Sequence, residues 1–182
     1  MSAVPAPPSP WLLEWRRALE QAAREGPALD LACGRGRNAR AAAGWGVPVV
    51  GLDRNAEFLA ELRAAAGASD LPVTCVRADL ETTHGIPVRA GSCGAILVFR
   101  FLFRPLAAAI QEALAPGGLL LYETFTTNQR MLGHGPRQEG FLLAPGELPS
   151  LFPRLRVQAH WEGICAAGAK PEAVARLAAR RP

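Results

Sequence analysis

The stretch that most constrains this chain is Pro27 to Arg40, P-A-L-D-L-A-C-G-R-G-R-N-A-R. It reads as a short buried strand, Ala28 to Ala32, that runs into a glycine turn and then a helix opening near Asn38. Gly34 and Gly36 lack a Cβ, so the backbone there can take positive φ and approach a ligand closely. The helix behind the turn aims its unpaired N–H groups and positive dipole end back at it. Strand, bare turn and helix N-terminus together predict a cradle for a nucleotide-like ligand. Taken literally, Gly34-Arg35-Gly36-Arg37-Asn38-Ala39 fits the G-x-G-x-x-G/A fingerprint of dinucleotide folds, which keeps an NAD(P)-binding protein open.

The residue type before the turn separates the candidate ligands. A strand feeding a pyrophosphate loop gains nothing from a carboxylate, because its ligand is an anion. Asp30 near the strand's end instead suits a ligand with a cationic tail. S-adenosylmethionine carries an ammonium and a sulfonium and no phosphate. A turn or helix-capping acid is the lesser alternative for Asp30, which tips the balance toward the methyl donor. D-L-A-C-G-R-G-R-N-A resembles the first motif of class I S-adenosylmethionine-dependent methyltransferases, and its Gly-Arg-Asn ending is similar to the tellurite-resistance branch. The resemblance runs from Ala28 to the C-terminus. It implies a Rossmann-like α/β fold: a doubly wound, mostly parallel seven-stranded sheet with an antiparallel C-terminal strand and helices on both faces.

Later segments supply the rest of the expected pocket. Val47 to Leu52 is a second apolar run ending at Asp53, placed to accept from ribose hydroxyls. Either cofactor would use that acid. Asn55 to Ala66 reads as a helix, and Pro72 to Leu80 as a third strand ending at Asp79-Leu80. The resemblance implies that Asp79 accepts from the adenine amino group and that the Leu80 backbone lies against the ring; a turn acid is the plainer reading. Gly94 to Phe99 is the most apolar strand candidate, expected at the centre of the sheet with its end as the far wall of the pocket. Many relatives begin that strand with Asp, whereas Cys93-Gly94 stands here, and no Asn-Pro-Pro-Tyr follows. Methylation of exocyclic base nitrogens is therefore disfavoured. The implied donor-binding set is Asp30, Ala32, Cys33, Gly34, Gly36, Asn38, Asp53, Arg54, Asp79, Leu80 and Phe99.

Composition sets the outer bounds. With 49% hydrophobic and 20% charged residues, 182 residues make one ordinary globular domain, expected over 10–182 behind a flexible, proline-rich leader at 1–9. Ser9-Pro10 is a helix-start signal for a helix over Trp11 to Arg24, whose tryptophans read mainly as packing. No run approaches the roughly 18 apolar residues of a membrane span, and the leader lacks the regions of a signal peptide. Cys33, Cys75, Cys93 and Cys165 are dispersed, so no metal site or disulfide framework is expected, and a cytosolic setting follows. Helix-dipole activation of Cys33 is a weaker reading than a small turn residue. The net charge of +4 is spread along the chain, which reads as a solvated surface and leaves RNA as a possible partner.

The C-terminal half predicts a helix over Leu106 to Ala115 closed by Pro116-Gly117-Gly118, and then a strand over Leu119 to Phe125. Phe101 and Phe103 are read first as core and second as pocket wall. Thr126 to Pro145 lacks periodicity and is expected to be a lid or substrate loop carrying His134 and Arg137. Gly146 to Phe152 reads as a short helix, and Leu155 to Ile164 and Ala173 to Ala179 as antiparallel strands. Methyl transfer is an in-line displacement, so alignment is the main task and a general base is needed only for a protonated nucleophile. Glu123, His134 and Glu162 are the unranked candidates for that base. A small-molecule acceptor is expected, since no added recognition domain is evident. An RNA or protein methyltransferase is the alternative, followed by a non-catalytic S-adenosylmethionine-binding or NAD(P)-binding module.

Overall fold

A computed structural model describes residues 6–82, 84–166 and 170–182. Seven strands form one sheet: β1 Ala28–Leu31, β2 Val49–Asp53, β3 Val73–Arg77, β4 Cys93–Phe99, β5 Leu114–Phe125, β6 Arg156–Cys165 and β7 Glu172–Arg180. Their spatial order is β3-β2-β1-β4-β5-β7-β6. All pairs are parallel except those of β7, which runs against both β5 and β6. The order reverses beside β1, and in open α/β sheets a ligand crevice lies outside the strand ends at such a switch point.

Alternation of side chains assigns the two faces. Leu29, Leu31, Ile96, Val98, Leu120 and Tyr122 face α5 (Ala107–Ala113) and α6 (Glu147–Ser150). Ala28, Ala95, Leu97, Leu119 and Leu121 face α1 (Pro10–Glu14), α2 (Arg16–Ala22), α3 (Arg37–Gly44) and α4 (Ala56–Gly67). Every residue of β4 is buried, as expected of a central strand. Gly94 has a packing reason to stand where relatives carry an acid. A Cβ there would lie 2.2 Å from the Ala22 carbonyl oxygen and 2.4 Å from that of Gly26, so the end of α2 rests on bare β4 backbone.

Three expectations shift in detail. The first helix divides at Trp15, whose ψ of 12° leaves the helical range, and the Trp11 and Trp15 rings sit tilted with centroids 5.6 Å apart. The helix expected to reach Ala115 ends at Ala113. Leu114 already pairs with Cys93, and the Ala-Pro-Gly-Gly segment forms an irregularity within β5, with Gly117 at φ 74°. Pro116 has no N–H to continue a helix, which favours the early stop.

The segment after β5 is anchored near its two ends. The Thr126 and Thr127 amides donate to the Ala173 and Leu143 carbonyls, and fully buried Gln129 accepts from the Ala173 amide at 2.8 Å. Short 3₁₀ turns cover Thr127–Leu132 and Glu139–Phe141. Residues 1–5 of the expected leader lie outside the described residues. At its end Ser9 is buried, caps α1 through the Trp11 amide, and gives its own amide to Asn38 Oδ1 at 2.9 Å.

Candidate active site

The glycine turn is built from three backbone demands. Ala32, Gly34 and Gly36 have φ of 53°, 55° and 75°, a left-handed run that reverses the chain between β1 and α3. Only Gly34 has open space where a Cβ would stand. A Cβ on Gly36 would lie 2.2 Å from buried Leu62, so this glycine admits α4 to the turn. Asn38 lies in the first turn of α3 and holds the Ser9 amide.

Asp53 locks the turn. Its Oδ2 accepts from the Gly34 amide at 2.8 Å and its Oδ1 from the Asn55 amide at 2.8 Å. Asn55 itself caps α4. One strand over, Asp79 Oδ1 accepts from the Glu81 amide at 2.9 Å, and Arg54 bridges to Glu81 at 2.5 Å. The tips of β2 and β3 are thus joined by an ion pair at the mouth of a groove.

Asp30 lies behind this surface on the α3 side. It is 2% exposed and its Oδ2 has no hydrogen-bond partner among the described residues. Desolvation pushes its carboxyl up to about 7, against the pull of the Ala39 amide and the Arg37 charge. Cys33 is also buried, and desolvation raises its thiol far above the ordinary range, so it stays protonated.

A cleft of about 390 Å³ opens at the C-terminal ends of the parallel strands. Its first half is formed by Ala32, Asp53, Arg54, Ala78, Asp79, Leu80 and Glu81. Its second half is formed by Arg100, Phe101, Leu102, Thr124, Phe125, Pro136 and Phe141. Five residues of the expected donor set, Ala32, Asp53, Arg54, Asp79 and Leu80, line the first half. Asp30, Cys33, Gly34, Gly36 and Asn38 are not in the lining. Phe99 packs into the core on the α1–α4 face, and Phe101, two residues on, is the aromatic that reaches the cleft.

The three candidate bases are dispersed. Glu123 is fully buried: Oε2 accepts from Arg176 at 2.6 Å, and Oε1 accepts from the Ser9 hydroxyl at 3.0 Å with Arg100 at 3.5 Å. Arg100 also pairs with Glu172 and lies over the Phe125 ring at 4.8 Å. His134 packs its Nδ1 3.4 Å from the Gln129 amide nitrogen. Glu162 accepts from the Gly146 amide at 3.0 Å on β6. None of the three lines the cleft.

Sequence reasoning missed Arg100, Thr124, Phe125, Pro136 and Phe141. The available signal was position: Arg100 and Thr124 sit at the ends of β4 and β5, where parallel sheets place ligand contacts.

An open α/β sheet with a glycine turn and acids at successive strand tips defines a nucleoside-binding class of protein. Residues 28–118 match the family described as a methyltransferase domain. The chain belongs to that family, and it is an S-adenosylmethionine-dependent methyltransferase. No curated protein matches it. Solved structures share the fold at low identity. TehB from Haemophilus influenzae is 20% identical with a TM-score of 0.72, over 91% of this chain and 62% of that one. An S-adenosylmethionine-dependent methyltransferase from Mesorhizobium loti is 20% identical with a TM-score of 0.72, over 94% of this chain and 98% of the other. A geranyl diphosphate methyltransferase solved in complex with GPP and sinefungin is 15% identical with a TM-score of 0.67, over 93% and 79% of the two chains.

Proposed function

We propose that this enzyme methylates a small molecule, with the donor in the Asp53–Asp79 half of the cleft and the acceptor in the aromatic half. The observation that carries this reading is the cleft's division into an acid-edged half and an aromatic half walled by Phe101, Phe125 and Phe141. Pockets with apolar walls and few placed polar groups suit small ligands. The geranyl diphosphate methyltransferase is by its name an enzyme with a small acceptor, and its likeness in fold supports the same reading here.

The residues fit the donor. Asp53 and Asp79 each keep acceptor capacity beyond the amides they hold, enough for ribose hydroxyls and an adenine amino group. Ala78 and Leu80 offer apolar surface to a ring. The partnerless Oδ2 of Asp30 is a buried acceptor that a cationic tail would satisfy. When bound, the donor supplies a methyl carbon already activated by a sulfonium. The chain's residues bind, orient and exclude water, which is where alignment gains its rate.

An RNA acceptor fits less well. Arg16, Arg35, Arg54, Arg104 and Arg154 each pair with a glutamate, which leaves these guanidiniums less available to a phosphate backbone. Among the described residues no helix is long and apolar enough to cross a membrane. A cytosolic location is part of the proposal. Incubation with labelled donor and separate metabolite and RNA pools tests the reading. Label in small metabolites is expected, and label in purified RNA alone would overturn it.

A further inference from the structure

Phe141 lines the cleft without being held there by its own ring. It keeps 44% of its surface exposed and, among the described residues, belongs to neither of the two buried clusters that flank the sheet. Leu142 and Leu143 are buried, so the chain just after it is seated. The chain just before it has no apolar anchor. Glu139 and Gly140 are exposed and form a single 3₁₀ turn with Phe141. So short a turn has little stability of its own, and the place of the ring depends on what pins it.

Arg104 pins it. This residue opens the 3₁₀ turn Arg104–Leu106, directly after the stretch that gives Phe101 and Leu102 to the cleft. Its Nη2 donates to the Leu142 carbonyl at 2.9 Å and its Nη1 to the Gly140 carbonyl at 3.3 Å. The two carbonyls that bracket Phe141 therefore share one guanidinium. The same group pairs with both carboxylate oxygens of Glu147, through Nε and through Nη2. Glu147 Oε2 also accepts from the Ala144 amide at 2.8 Å. Charge-assisted bonds of this kind are the strong ones, and the Arg104 hydrogen bond holds the Glu147 carboxyl below the usual carboxylate range. A planar fork serves a carboxylate and two carbonyls together, whereas an ammonium has no such plane.

We propose that Arg104 is a positioning residue for the acceptor. Through the Gly140 and Leu142 carbonyls it sets where Phe141 stands in the cleft, and Glu147 fixes Arg104 in turn. This rests on the placing of the acceptor in the aromatic half and names what shapes that half. Arg104 does not itself line the cleft. A wall fixed before the acceptor arrives avoids the ordering cost of a loose turn.

The test uses the full-length protein saturated with S-adenosylhomocysteine, with the neutral apolar fluorophore prodan as the probe of the aromatic half. Phe141→Ala is expected to weaken prodan binding by about 3- to 10-fold, the range of one aromatic contact. Arg104→Lys keeps the charge and loses the fork, and should weaken it by a similar factor. The double variant should bind no more than about 2-fold more weakly than Phe141→Ala alone, because Arg104 acts through that ring. A residue that only supports the fold would add its effect in full. Affinity for S-adenosylmethionine, read by calorimetry, should be unchanged in Arg104→Lys. Amide exchange read by mass spectrometry should quicken over 138–147 and stay as it was in the glycine turn. Glu147→Gln, at the far end of the same ion pair, should move the probe and the exchange in the same directions. Additive effects in the double variant, unchanged exchange over 138–147, or a loss of donor affinity matching the loss for prodan would overturn the proposal. A parent protein that binds the donor but no prodan would overturn the placing of the acceptor, and this proposal with it.

Discussion

The Asp53 carboxylate accepts the Gly34 amide at 2.8 Å, which ties the tip of β2 to the turn after β1. The same carboxylate holds the Asn55 amide at the start of α4. One side chain therefore sets the turn and presents an acid to the cleft. Asp53→Ala is expected to lower S-adenosylmethionine affinity by roughly 10- to 100-fold, the range of one or two hydrogen bonds to a charged group. Calorimetric titration checks this, and an unchanged affinity would remove Asp53 from the donor site.

Asp30 predicts a pH dependence. Its folded-state pKa is raised from 3.8 to about 7, so the folded protein holds the proton more tightly than the unfolded chain. Stability is then fullest below about pH 4 as far as this group is concerned, and falls as pH rises towards 7, by up to about 1.4 kcal/mol per unit. Asp30→Asn should lack that fall, and urea unfolding of both proteins between pH 5 and about 8 would show it. Donor binding should run the other way. A cationic tail needs the ionised carboxylate, so affinity in the parent protein should drop as pH falls through about 7, and the variant's profile should be flatter.

Ala32 occupies the left-handed region at φ 53°, where an L side chain is strained by about 1–2 kcal/mol. Glycine relieves that strain but gains freedom in the unfolded chain. The expected net gain for Ala32→Gly is about 0.5–1 kcal/mol, or a Tm higher by roughly 2 °C. A lower Tm by thermal unfolding would show that the Ala32 methyl contributes more than its backbone loses.

Gly94 carries the opposite expectation. Its missing Cβ makes room for the carbonyls of Ala22 and Gly26, which are backbone and cannot rotate aside. Gly94→Ala should lower stability by more than about 2 kcal/mol through forced separation of α2 from β4. Chemical denaturation reads this directly, and a change within about 0.5 kcal/mol would contradict the close approach.

Glu123 separates a structural from a chemical role. It is the buried carboxylate between Arg176 and Arg100, and loss of one partner from such a set typically destabilises by about 3–5 kcal/mol. Glu123→Ala should therefore unfold at markedly lower denaturant concentration. A variant of full stability but no turnover would reinstate Glu123 as the base.

The legible parts of this protein were those set by local chemistry. The glycine turn, Asp53 and Asp79 at strand ends, and the alternation of strand and helix each follow from periodicity and backbone preference within a few residues. What stayed hidden depends on distance along the chain. Ser9 meets Glu123 across 114 positions, and a glutamate next to an apolar strand reads the same in sequence whether it awaits a proton or an arginine. Phe99 and Phe101 look equivalent as apolar residues, yet only Phe101 lines the cleft, while Phe99 joins the core of the α1–α4 face. Strand order decided the remainder, because placing β4 and β5 beside β1 is what carries Arg100, Thr124 and Phe125 to the same cleft as Asp53 and Asp79. Local propensity determined which elements form, and only their packing determined which side chains share a pocket, since burial and charge pairing are properties of neighbours in space.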